Sequence, residues 1–313
     1  MEAHYTYGTK EFQSRSDLFD FLFTHKKQLT AQKRAVLKKA DCVSVQPMIV
    51  WDKDSSVAKD ATAAVDPNLP ETLKVVVIIN TTNFLDGHGD VHIPGLWTKS
   101  LSENKMIMHL QEHEMEFENI ISDGANLKAY TRSYTWKELG FPYDGITEGL
   151  TFESTIEKKR NEFMLNQYKN GWVRNHSVGM YYVKVDMAIN DEKYPNEYAA
   201  WQKYYPMIAN SETADQQGYF WYVLEAKCVE GSAVPKGSNQ ATPTLTVEGA
   251  EACTVKCDNC GADVNIPAGE TSAFCTKCGT QTSKEPPIGV KKSGILGEVD
   301  FNGLITLIKS ERN

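Results

Sequence analysis

Apolar positions along this chain change period several times, and each change marks an expected element. Leu18, Phe19, Phe21, Leu22 and Phe23 crowd together behind Ser16 and Asp17, which can cap a helix. A second helix is expected to start at Thr30 and run through Ala35, Val36 and Leu37 among many lysines and arginines. Residues 1–43 therefore read as a helical hairpin with one buried face; a docking arm for an assembly partner is the functional alternative. Residues 43–51 alternate toward a strand, and 52–71 are small, polar and Pro-containing, a linker or long loop. Residues 74–80 form a β-branched run, a buried strand by length and type. Residues 105–113, 126–136 and 149–154 are strand-like. Ser154 and Glu157 have capping-box spacing, so a helix is expected from Ser154, with Ile156, Phe163, Met164 and Tyr168 as its stripe. Gly171 stands where the left-handed residue after a helix belongs. Residues 179–189 alternate again, 190–218 read as an insertion, 219–229 as the last strong strand, and 231–249 as a hinge.

Composition narrows the class. The chain has 313 residues, 41% of them hydrophobic, enough for one large domain and a small one. The net charge of -8 argues against a general nucleic-acid binder, which carries a basic face. No apolar run approaches the roughly 18 residues that span a membrane. The polar first ten residues lack the apolar centre of a signal peptide, so a reducing cytoplasm is the expected setting. Seven cysteines fit that setting better as metal ligands and spare thiols than as disulfides.

Four of those cysteines are paired. Cys257-x-x-Cys260 and Cys275-x-x-Cys278 are separated by 14 residues, and Gly261 and Gly279 follow the second Cys of each pair. Four thiolates close a tetrahedral zinc site with no open position, so a structural zinc ribbon is expected. A redox pair is the lesser reading, and Cys253 is a substitute ligand. Cys42 and Cys228 read as buried small hydrophobes. A ribbon of ~30 residues has too small a core to stand without its ion. It is expected to bind a protein partner first and nucleic acid second.

Candidate catalytic groups are scattered. His109-Leu110-Gln111-Glu112-His113 matches the H-x-x-E-H pattern of inverted zinc peptidases, in which two imidazoles share a helix face and Glu112 acts as base. A structural role for either histidine, or service as base to a serine, are the alternatives. Ser177 opens a strand, and His176 beside it projects to the opposite face, an unsuitable base for it. Glu225 is a carboxylate in an otherwise apolar strand, which invites either a Lys or Arg partner or a functional role.

Taken in order, these pieces resemble the prohead maturation protease family of tailed phages, fold relatives of the herpesvirus assemblins. The resemblance runs from about Lys74 to about Ala233. It rests on Gly89-Asp90-Val91 with Pro94-Gly95, the apolar run ending at His113, Ser177-Val178-Gly179 opening a strand, and Leu224-Glu225 leading to Gly231-Ser232-Ala233. It implies an α+β fold: a small closed β-barrel with flanking helices. It implies a serine peptidase with Ser177 as nucleophile, His113 as base and Glu225 as orienter, needing no cofactor for catalysis. His109 competes with His113, and Arg174 is an oxyanion candidate by nearness alone. Capsid and scaffold proteins are the implied substrates, in the host cytoplasm inside the prohead, with possible self-association and self-cleavage in 231–249. The expected layout is a helical region with linker (1–70), the barrel (71–233), a linker (234–252), the zinc ribbon (253–285) and a tail (286–313). A zinc peptidase using His109, Glu112 and His113, and a non-catalytic assembly protein, are the rivals.

Overall fold

The computed structural model describes residues 5–38, 69–248, 253–257, 259–266, 272–275 and 277–283. The expected strand at 43–51, Cys42, most of the 52–71 loop and the 286–313 tail lie outside the described residues.

The described residues begin with strands, not the first part of a helical hairpin. β1 (Tyr5–Tyr7) and β2 (Lys10–Phe12) pair antiparallel, and one helix follows, α1 (Arg15–Ala35). Ser14 caps it by accepting from the Asp17 backbone N–H. No Gly or Pro interrupts 15–35, so nothing stops the helix at Thr30 and the two expected helices are one. Its inner stripe of Leu18, Phe19, Leu22 and Leu29 is buried. Each such side chain contributes on the order of 1.5–3 kcal/mol by leaving water.

The body is built mostly of strands. The next elements are β3 (Thr72–Thr81), β4 (Asp90–His92), α2 (Thr98–Glu103), β5 (Met108–Gln111), β6 (Ile120–Asp123), β7 (Leu127–Thr135) and β8 (Ile146–Glu157). Then come α3 (Glu162–Lys169), β9 (Asn175–Ile189), α4 (Pro195–Tyr204), α5 (Ser211–Gln217), β10 (Tyr219–Val234) and β11 (Thr244–Val247). One sheet has β10 at its centre. β9 lies antiparallel along one edge of β10, β4 and β5 lie parallel along the other, and β6 continues from β5. The second sheet has the order β11-β3-β8-β7. Within 69–248 the hydrogen bonding gives two sheets and not the closed ring of a barrel. Val75, Val77, Ile79, Leu150 and Phe152 of the second sheet share one core with Ala233, Val178, Ile121 and the stripes of α1 and α3. The sheets approach closely at Gly231, where an added Cβ would stand 2.5 Å from Phe152 and 2.8 Å from Ile79.

Three more expectations change. Ser154 opens no helix: it lies inside β8, and α3 starts at Glu162 behind Asn161, which accepts from the Met164 N–H. Gly171 does take the left-handed conformation after α3, at φ 68°. The 190–218 insertion folds as α4 and α5, whose Trp201, Tyr204 and Ala214 bury Phe220 of β10. The 231–249 hinge carries paired strand at 231–234 and 244–247, with irregular chain between them. β10 runs on to Val234, and β11 pairs with β3, so the body extends past the expected boundary at 233.

Two small hairpins close the described chain: β12 (Cys253–Lys256) with β13 (Asp263–Ile266), and β14 (Ser272–Phe274) with β15 (Gln281–Ser283). No helix of the described residues is long and apolar enough to cross a membrane.

Candidate active site and metal cluster

The chain reverses sharply after β5. Glu112 and His113 have φ of 53° and 62°, and the Glu114 N–H donates to the Gln111 carbonyl at 3.0 Å. Two successive positive φ angles are the signature of a type I′ turn, a conformation usually given to Gly, Asn or Asp. Holding Glu and His there costs roughly 1–3 kcal/mol per residue, and such strain collects at functional sites. The turn is fastened to β10: the Glu112 N–H donates to the Ala233 carbonyl at 2.9 Å, and the His113 N–H donates to Ser232 Oγ at 3.1 Å.

The fastening delivers His113 to a carboxylate. His113 Nδ1 lies 2.6 Å from Glu230 Oε1, both groups buried. Ser232 Oγ donates to the other oxygen, Oε2, at 2.6 Å. A carboxylate accepts, so Nδ1 carries the proton and the imidazole is held in one tautomer. Ser232 spends its single hydroxyl hydrogen on Glu230, which leaves it none to offer a base.

Ser177 stands directly opposite Ser232 in the antiparallel pair β9–β10. Opposed residues in such a pair project from the same face, with Cβ atoms about 4.5–5.5 Å apart. Ser177 is 4% exposed and shares the face of the His113–Glu230 pair. Gly179, two residues on, faces Glu230. A Cβ at 179 would sit 2.0 Å from Glu230 Oε1, so the carboxylate occupies the space that the missing side chain leaves. The Ser-Val-Gly sequence thus has a mechanical reason.

Glu225 is not the partner of His113. It makes ion pairs with Lys184 at 2.5 Å and Lys99 at 3.5 Å, and the Lys184 contact chiefly holds its carboxyl below the usual range. It pairs with Lys184 on β9, seven residues from Ser177, or roughly 20 Å along a strand. Sequence reasoning passed over Glu230 because of a bulge. Cys228 pairs with Met180 and Glu230 with Gly179, so the extra residue between them turns Glu230 to the face opposite Cys228. The available signal was Glu230-Gly231-Ser232, two polar residues on one face of an apolar strand.

His109 lies on the other side. It pairs with Gly231 and enters the core, where Nδ1 meets Ser154 Oγ at 2.9 Å and Nε2 meets Tyr168 Oη at 3.1 Å. Tyr168 Oη also reaches His176 Nε2 at 2.9 Å. Burial, then the neighbouring His176, pushes His109 well below the ordinary histidine range; burial brings His176 to about 4. Both are neutral core residues. The H-x-x-E-H segment is a strand and turn, not a helix, so its two imidazoles do not share a face. Glu112 is exposed, and no grouping of ligand atoms among the described residues includes these three. Arg174 is exposed on the loop after α3, its Nε 3.5 Å from the Gly171 carbonyl.

The four ribbon cysteines do converge. Ligand atoms of Cys257, Cys260, Cys275 and Cys278 lie within 4.8 Å of one another, with Sγ–Sγ separations of 3.5 Å for Cys257–Cys278 and Cys260–Cys275. Zn–S bonds of about 2.3 Å in a tetrahedron need edges of ~3.8 Å, so the cluster is compatible with a structural zinc site. Each knuckle closes by a backbone bond, Gly261 N–H to the Cys257 carbonyl and Gly279 N–H to the Cys275 carbonyl, both 2.8 Å. Both glycines have the positive φ that this turn requires. Cys253 lies on β12. Cys228 is buried, as expected, and burial raises its thiol pKa.

No family model, no curated protein and no solved structure matches the chain.

Proposed function

We propose that the chain is a serine endopeptidase, of the kind that trims capsid and scaffold proteins within an immature phage shell. One observation carries this reading: the buried His113–Glu230 pair lies on the strand face that Ser177 shares. In this reading Ser177 Oγ attacks the scissile carbonyl and His113 takes its proton through Nε2. His113 then returns the proton to the leaving amine. Glu230 fixes the tautomer and stabilises the imidazolium, the role expected of Glu225. Ser232 ties the carboxylate to the strained turn. The substrate class rests on the sequence resemblance, to which Gly179 and the Glu230-Gly231-Ser232 segment add physical sense. The ribbon holds zinc and serves as an interaction module. Self-cleavage at either end of 231–249 does not suit this fold, because 231–234 and 244–247 are paired strand.

The test is mass spectrometry of the full chain co-expressed with a capsid protein and its scaffold. The parent chain shortens its substrates and labels with a fluorophosphonate at Ser177; Ser177→Ala does neither. Cleavage that survives Ser177→Ala but stops with a chelator would move the chemistry to a metal and end the serine reading.

A further inference from the structure

Beside the serine site, at the edge of β9, is a cavity of about 10 Å³. That is room for one water molecule or one bare ion, and too little for a substrate side chain. Its walls include Asn80, Asp86, His88 and His92, with Ser177 at one side. Asn80, Asp86 and His88 put acceptors into the lining, beside the Lys38 ammonium, and Asp90 stands just behind them. Asp86, His88 and Asp90 alternate with Gly87 and Gly89, and one ligand atom from each lies within 4.8 Å of the others. Asp86 Oδ1 accepts from the backbone N–H groups of His88 at 2.8 Å and Asp90 at 2.9 Å, which wraps the loop around the carboxylate. Asp90 is ion-paired with Lys33 and accepts from Tyr182 Oη at 2.7 Å. Each Asp90 oxygen keeps a second lone pair.

Asn80 supplies the independent observation. It is 1% exposed, and its Nδ2 lies 2.9 Å from His92 Nδ1, while its Oδ1 has no hydrogen-bond partner. A buried carbonyl oxygen without a donor is costly, and a native fold supplies a partner.

We propose that Asp86, His88 and Asp90 form a second metal site, for a divalent transition cation of the zinc class, with Asn80 Oδ1 turned toward the ion or its water. Two carboxylates with an imidazole suit zinc; calcium and magnesium take shells of oxygen. The site is separate from the four thiolates and does not depend on the peptidase reading.

The probe is zinc alone, added to the purified full-length chain and followed by dialysis and elemental counting. Two zinc ions per chain are expected for the parent and one for His88→Ala, whose exposed side chain can be removed without opening the core. Cys275→Ser should lose the other ion. A calorimetric zinc titration of the chain with its ribbon already filled should show one further site, weakened at least tenfold by His88→Ala. One zinc per chain in both parent and His88→Ala, or a further site indifferent to His88→Ala, would overturn the proposal and leave the cavity to water.

Discussion

His109 and His113 are four residues apart on one strand and its turn, and they live in opposite chemical settings. His109 enters the core between hydroxyl groups, with Ser154 and Tyr168 as partners and no carboxylate. His113 leaves the strand through two left-handed residues and meets Glu230. Burial alone makes an imidazole neutral and inert as a base. A carboxylate on one ring nitrogen fixes the tautomer and turns the other nitrogen outward, which is what proton transfer from a serine needs. The same residue type is therefore a packing element on one face of β5 and β10 and a candidate base on the other. Glu230 makes the difference, and Gly179 makes room for Glu230.

The comparison breaks most visibly in activity. Glu230→Gln should lower peptide cleavage by roughly 10³–10⁴-fold, the usual effect of losing the orienting acid of such a triad. Glu225→Gln should leave the rate within about threefold, because it removes only a surface ion pair. Rates measured on one capsid-derived peptide would decide between the two carboxylates, and equal effects would discard the assignment.

A smaller effect appears in acid. His176 has a folded-state pKa of about 4, below the ordinary 6.5, because burial disfavours its charge. The unfolded chain therefore binds a proton first as pH falls. Stability is full above about pH 6.5 and declines toward pH 4, by roughly 3 kcal/mol from this one group. His109, also depressed, adds to the loss in the same direction. Denaturant midpoints at pH 7 and pH 5 would show it; a flat profile would mean that neither ring is buried neutral.

The smallest effect sharpens the contrast between the two histidines. His109→Gln should cost about 1–3 kcal/mol by leaving Ser154 and Tyr168 poorly matched. It should leave the cleavage rate per folded molecule unchanged. A rate loss as deep as that of Glu230→Gln would put His109 back among the candidate bases.

Local chemistry written in the sequence carried over directly to the structure. The two Cys-x-x-Cys-Gly knuckles need only neighbouring residues and a positive φ, so their spacing announced the four-sulfur cluster. The β-branched run at 74–80 became β3 and Gly171 ended α3, while Ser177 on β9 and the His113 turn after β5 lie on opposite sides of β10. Long-range pairing was hidden. A carboxylate at 225 and one at 230 look alike in a strand pattern, and one extra residue before Glu230 decides which face it takes. Ser154 satisfied a capping rule but was claimed by β8, where its hydroxyl serves His109. The stretch 231–249 looked like a hinge because glycine, serine and proline are loop formers. Close approach of two sheets at Gly231 instead requires a residue without a side chain. Periodicity set what each segment could become; the register between β9 and β10, fixed by bulges and by the space at Gly179, decided which side chains meet.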